Sequence, residues 1–236
     1  MPVAKRKLAP FTWKELIACR NQGIDDLFVH PPTLETRRLI LRPLQMADAA
    51  DLFAYASDPD VARYVLWSAH QSIHDSQAFI RWIMGQYRQG IPSSFGVCHR
   101  ADRRMIGTMG FTGWVEEDRM AEIGYSFSRA YWGQGIATEA LDRMLQYCFD
   151  ALNLHRVEGQ HDASNPASGR VMEKAGMKKE GLLRGRVWNK DRFVDTVMYG
   201  ILRDDWAAAH PSSSTGKYEQ NENHSTPLCA DCRAMI

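Results

Sequence analysis

The sequence predicts a mixed α/β fold, one sheet covered by helices, and three observations carry that prediction. Strand-like runs precede, flank and follow single amphipathic helices along the 236 residues, an alternation that suits neither a helical bundle nor a β-sandwich. The middle of the chain places three successive strand-like runs before one strong helix. At that junction stands Trp132-Gly133-Gln134-Gly135-Ile136-Ala137-Thr138-Glu139-Ala140. This glycine-bracketed turn feeds a helix start, where close backbone approach and unpaired N–H groups are built to hold an anion, a phosphate above all.

In chain order, Thr12-Trp13-Lys14-Glu15 has the form of a capping box with Trp13, Leu16 and Ile17 on one face, so a short helix is expected over 12–21. His30-Pro31-Pro32 breaks the pattern, and Arg38-Leu39-Ile40-Leu41-Arg42 reads as the first strand, ended by Pro43. Helices are expected over 47–56, closed by Asp58-Pro59, and over 73–88, where Ala78, Phe79, Trp82, Ile83 and Tyr87 share a face. Residues 95–98, 105–111 and 121–127 read as strands, the last two joined by the charged turn Glu116-Glu117-Asp118-Arg119. A helix over about 136–150 buries Ile136, Ala140, Leu141, Met144, Leu145 and Cys148 on one stripe. A strand over 155–160, a helix over 166–175 stopped by Gly176, and a strand pair over 178–188 and 191–202 complete the pattern. Residues 1–33 form an N-terminal extension and 34–206 the domain. From Ala207 the aperiodic polar composition reads as a disordered tail over 207–236.

Composition narrows the function classes. With 29 basic and 28 acidic side chains the net charge is +1, which gives no global attraction to nucleic acid or an anionic membrane. Five scattered cysteines, Cys19, Cys98, Cys148, Cys229 and Cys232, form no disulfide framework and point to a reducing compartment. No segment approaches the roughly 18 apolar residues of a membrane span, so a soluble cytoplasmic protein is expected. Cys229-x-x-Cys232 with His224 lacks the second pair of a structural zinc site, and no metal is expected. The glycine turn has Thr138 where a dinucleotide fingerprint wants a third glycine, and no Lys-Ser or Lys-Thr pair follows it as in a P-loop.

The neighbours of the turn are more specific. Ala121-Glu122-Ile123-Gly124-Tyr125-Ser126-Phe127-Ser128 runs straight into it, and Asn165-Pro166-Ala167-Ser168 opens the next helix ahead of Glu173-Lys174-Ala175-Gly176-Met177. Together these resemble the GNAT superfamily of N-acetyltransferases. Glu35-Thr36-Arg37-Arg38-Leu39-Ile40-Leu41-Arg42, Lys179-Glu180-Gly181-Leu182 and Asp204-Asp205-Trp206 are similar to its Rim-type group, which includes ribosomal-protein N-terminal acetyltransferases. The resemblance covers residues 35–206. It implies a mixed, mostly antiparallel sheet, acetyl-CoA as cosubstrate, and transfer to a primary amine. A protein N-terminal α-amine is the first acceptor and a small-molecule amine the alternative.

Site residues follow from the same resemblance. The family loop Gln/Arg-x-x-Gly-x-Gly/Ala falls on Ala130, Gly133 and Gly135. Ala130 removes one side-chain contact, while the backbone N–H groups of Gln134, Gly135, Ile136, Ala137 and Thr138 remain for the pyrophosphate. The strand ending at Phe127 would pair with the pantetheine arm, and Asn165 and Ser168 would touch the arm near the thiol. Glu122 is the expected general base, with a strand N–H near Phe127 steadying the oxyanion. The family's helix tyrosine is replaced by Met172, so Ser168, or a water it holds, is expected to protonate the leaving thiolate ahead of Tyr125 and Tyr131. Structural readings stand beside these: Asn165 as an N-cap with proline at N1, Ser168 as a first-turn polar residue, Glu122 as a solvated strand residue. The departures at Ala130 and Met172, with residues 1–33, leave open a coenzyme A binding module that has lost catalysis and engages a protein partner. A monomer and a homodimer both fit the sequence.

Overall fold

The computed structural model describes residues 27–211; the helix expected over 12–21, the Cys229, Cys232 and His224 set, and the tail from residue 212 lie outside the described residues. In chain order the elements are β1 (Leu34–Glu35), β2 (Leu39–Pro43), α1 (Ala49–Ala56), α2 (Pro59–Ala62), α3 (Ile73–Arg88), β3 (Ser94–His99), β4 (Arg104–Val115) and β5 (Met120–Phe127). There follow α4 (Ile136–Gln146), β6 (Arg156–Asp162), α5 (Pro166–Lys174), β7 (Lys178–Asn189), β8 (Arg192–Leu202) and α6 (Arg203–Ala209). The strands form one sheet in the order β1-β2-β3-β4-β5-β6-β8-β7. Every neighbouring pair is antiparallel except β5 and β6, which run parallel.

Strand alternation, shifted in β4 by a bulge opposite Val97 and Cys98, sends side chains to two separate cores. On one face Ile106, Met109, Ile123 and Phe127 meet Ile136, Ala140, Leu141 and Met144 of α4. On the other, Met105 and Leu44 meet Leu52, Tyr55, Ile80 and Ile83 of α1 and α3. Burying both faces accounts for the apolar β4, whose residues 105–111 are all buried.

Three elements depart from the local pattern, each for a visible reason. Asp58-Pro59 ends one helix and also starts α2, since the Asp58 carboxylate accepts from the Asp60 N–H at 2.9 Å and Pro59 sits at the first helical position. The helix expected to 150 keeps α-geometry only to Gln146 and widens into a π-turn over Tyr147–Ala151. Arg203 takes the end carbonyls there, donating to Phe149 O at 2.7 Å and Leu154 O at 2.9 Å. The chain stays helical through Ala209 in α6, past the change of composition at 207, because buried Trp206 anchors it against Phe149 and stacks on His210.

The feature that positions a site is the parting of β5 from β6. They pair only at Met120–Arg156, Ala121–Val157 and Glu122–Glu158, while β6 continues beside β8 through Asp162. Beyond Glu122 the two strands form a fork, and the β5 edge is left without a neighbouring strand.

Candidate active site

Ladder geometry decides which backbone groups face that fork. Ser128 N–H donates to Ile106 O at 2.8 Å on the β4 side. Since partners alternate along an antiparallel ladder, the N–H and C=O groups of Phe127 and Tyr125 point the other way, into the fork. The Phe127 carbonyl is already taken there by the Trp132 indole N–H at 2.8 Å. This bond folds the glycine turn back against the end of β5.

Gly133 and Gly135 both have φ of +72°, a left-handed backbone that costs little only for glycine. The first α-helical bond of α4 runs from Glu139 N–H to Gly135 O at 3.0 Å. The N–H groups of Ile136, Ala137 and Thr138 therefore have no intrahelical acceptor and lie at the positive end of the helix. Gln134 turns its amide inward to Ala130 O at 2.7 Å. A glutamate one turn in, Glu139, would repel an anion, but Arg38 neutralises it: Nε lies 2.6 Å from Oε2, while the Arg38 backbone N–H and the Thr36 hydroxyl donate to Oε1 at 2.9 and 2.6 Å. Burial pushes the Glu139 carboxyl up, but the hydrogen bonds from Thr36 and Arg38 outweigh it and hold its pKa below the usual value. Arg38 also donates to Gln134 O at 2.9 Å, so a residue about a hundred positions upstream clamps the turn.

The turn, the β5 end and the start of α5 line one cleft of about 550 Å³, closed on its far side by Asp60, Val61, Arg63, Tyr64 and Val65. Phe127, Gly133, Gly135, Ile136, Ala137, Thr138, Asn165 and Ser168 all line it; Gln134 and Glu122 do not. Asn165 occupies the N-cap position of α5 with Pro166 behind it, yet its side chain makes no capping bond. Its amide stays available to the cleft. Ser168 Oγ lies 2.9 Å from the Tyr125 hydroxyl, which also reaches Ser168 O at 3.0 Å. Burial pushes the Tyr125 phenol up to about 12, so at neutral pH it is a protonated hydroxyl. The sequence placed Tyr125 behind Ser168; the fold makes them a pair. Met172 is buried against Gly159, and Tyr131 is occupied with Asp102 at 2.5 Å.

Glu122 stands at the crotch of the fork, on the sheet face that carries α1. Its Oε1 accepts from Thr112 Oγ1 and from Gln160 Nε2, each at 3.0 Å. Glu158, its partner across the last pair, is instead tied to Arg156 at 2.7 Å. A hydroxyl chain from Tyr55 through Thr108 to Ser126, with 3.3 Å steps, continues along the same face. Gln160, Trp132 and Arg38 were not legible as site residues, since their partners are distant in sequence or, for Trp132, a backbone carbonyl. No group of three or more His, Cys, Asp or Glu side chains that could hold a metal occurs among the described residues, and no described helix is long and apolar enough to cross a membrane.

A forked, mostly antiparallel sheet with a glycine-bracketed helix start beside the fork defines the GNAT fold of acyl-transferring enzymes. Residues 38–178 match the acetyltransferase (GNAT) domain model. The chain is 34% identical over 175 residues to a Bacillus licheniformis protein described as uncharacterized N-acetyltransferase p20, covering 74% of this chain and 98% of that one. It is 26% identical over 181 residues to the [ribosomal protein uS5]-alanine N-acetyltransferase of Escherichia coli, covering 73% and 92%. A Bacillus anthracis GNAT-family acetyltransferase crystal structure superposes with a TM-score of 0.66 at 28% identity, covering 73% of this chain and 99% of that one. The chain belongs to the GNAT acetyltransferase family and is an N-acetyltransferase.

Proposed function

We propose that the enzyme moves an acetyl group from acetyl-CoA to the α-amine at a protein N-terminus. The observation that supports acetyl-CoA as the donor is the convergence, in one cleft, of the free β5 edge, the α4 helix start and the Asn165 amide. That arrangement fits a long ligand with an anionic end and an amide-bearing arm: the N–H groups of residues 136–138 suit a pyrophosphate, and the Tyr125 backbone suits a strand-like partner.

Acetyl-CoA supplies the activated acetyl thioester, and the residues of this chain do the rest. The amine attacks the carbonyl carbon, the new C–N bond replaces the C–S bond, and the amine loses one proton. Glu122 takes that proton directly or through a water, its carboxylate oriented by Thr112 and Gln160. The Phe127 N–H, directed into the fork, steadies the oxyanion. The hydroxyl pair of Ser168 and Tyr125 meets the departing sulfur, filling the role that Met172 leaves vacant, and the proton returns to sulfur through that pair or solvent. An α-amine, with a pKa near 8, offers far more neutral nucleophile at pH 7 than a lysine near 10.4. The relative that acts on a ribosomal-protein alanine supports the same acceptor class.

The test uses labelled acetyl-CoA and three acceptor sets: peptides with free N-termini, the same peptides N-terminally blocked but carrying lysine, and polyamines with free amino acids. Preferential labelling of free N-termini is expected. Labelling confined to the small amines would replace the acceptor, and tight coenzyme A binding with no transfer at all would favour the non-catalytic binding module. Glu122→Gln should lower kcat by about 100-fold or more with coenzyme A affinity unchanged; unaltered turnover would remove the base assignment.

A further inference from the structure

We infer that Lys190 is a positioning residue that straps the acceptor-side wall of the cleft, a reading that rests on the amine acetyl transfer proposed above. The β7–β8 hairpin turns through Lys190 and Asp191 with φ of +49° and +69°. Two consecutive left-handed residues make a turn that Asn-Gly ordinarily occupies; Asp191 tolerates that backbone, but a lysine in it is costly. Lys190 is retained in that backbone by a tertiary contact. Its Nζ donates to the carbonyls of Ala62, of Arg63 at 3.3 Å and of Val65 at 2.9 Å.

Ala62 closes α2, and residues 63–65 begin the irregular link to α3, so these carbonyls lie at and beyond a helix end where intrahelical donors run out. One ammonium with three donors matches them. The opposite end of α2 is pinned from the short turn after β5: Arg129 Nε lies 3.0 Å from Asp58 Oδ2, and its NH1 lies 3.2 Å from Asp60 Oδ2. The wall of Val61, Arg63, Tyr64 and Val65 is thus held at both ends by cations from other elements. The glycine turn across the cleft is clamped separately by Arg38. Releasing Lys190 therefore loosens the acceptor wall and leaves the anion cradle in place.

The 236-residue chain and its Lys190→Met variant are compared in two assays. In limited trypsin digestion, followed by mass spectrometry of the fragment ending at Arg63, Lys190→Met should speed that cleavage about tenfold, the effect of losing charge-assisted bonds to a loop. In steady-state transfer to an acceptor peptide, KM for the peptide should rise about tenfold, with kcat and coenzyme A affinity within about twofold. Lys190→Arg, which keeps the charge and donors, should stay close to wild type in both. Should Lys190→Met fail to fold, Lys190→Gln is read in the same assays. Unchanged cleavage at Arg63 overturns the strap; faster cleavage with unchanged peptide KM overturns its role in the acceptor wall. The proteolysis readout needs no turnover, so it decides the strap even if no amine acceptor is found.

Discussion

Replacing Arg38 by methionine tests the anion cradle directly. Arg38 makes two side-chain contacts at the turn, to Glu139 Oε2 at 2.6 Å and to Gln134 O at 2.9 Å. The ion pair is only partly shielded, with side chains 31% and 20% exposed, so solvent screening limits its loss, together with the lost loop order, to about 1 kcal/mol. Methionine also leaves the Glu139 carboxylate uncompensated within one turn of the proposed phosphate site. At about 8 Å and an effective dielectric of about 40, one repelled charge adds about 1 kcal/mol. The sum, about 2 kcal/mol, corresponds to a coenzyme A Kd raised roughly 30-fold. Calorimetric titration of coenzyme A reads this, and the double variant Arg38→Met, Glu139→Gln should recover about fivefold by removing the repulsion. A Kd within threefold of wild type for the single variant would refute the clamp. A double variant no better than the single would show that charge is not the cause.

Three further outcomes follow from the geometry. Tyr125→Phe removes the hydroxyl paired with Ser168 and should lower kcat about tenfold while costing about 1 kcal/mol of stability; single-turnover transfer measures the first and urea unfolding the second, and intact kcat would exclude the pair from the reaction. Burial pushes Tyr55, Tyr87 and Tyr125 up to about 12, whereas unfolded tyrosines ionise near 10. Between pH 10 and 12 the unfolded chain sheds protons that the folded chain keeps, so stability should fall through that window and be unaffected by these groups below it; a flat melting temperature from pH 9 to 11 would contradict the burial argument. Gly110→Ala would place a Cβ 2.3 Å from Ser94 Cα and 2.5 Å from Ser93 O, contacts with backbone that cannot swing aside, and should cost about 3 kcal/mol or about 10 °C in Tm. A wild-type melting curve would refute the close approach of β3 to Gly110.

The elements that the sequence announced are those whose signal is local. The 73–88 helix was visible because apolar side chains recur at helical spacing between Ser72 and Gly90, and the structure places it over Ile73–Arg88. The glycine turn was legible because left-handed backbone and a helix start both leave marks within a few residues. The extra β-strand at Leu34–Glu35, the split helix at Gln146 and the anchored α6 were not, since each depends on a partner elsewhere: β2, Arg203 and Phe149.

For the site the division has the same cause. By itself the sequence determined the fold class, the family, the glycine turn before α4 and a short set of candidate side chains, all carried by residue type and short spacing. Only the tertiary structure decided which backbone edge is free, because the fork depends on where β6 stops pairing with β5. It also joined Tyr125 to Ser168, set Glu122 between Thr112 and Gln160, and brought Arg38 to the turn and Lys190 to the carbonyls at and beyond the end of α2. Those contacts span between 10 and 128 positions of chain, and no local periodicity encodes a partner at that separation.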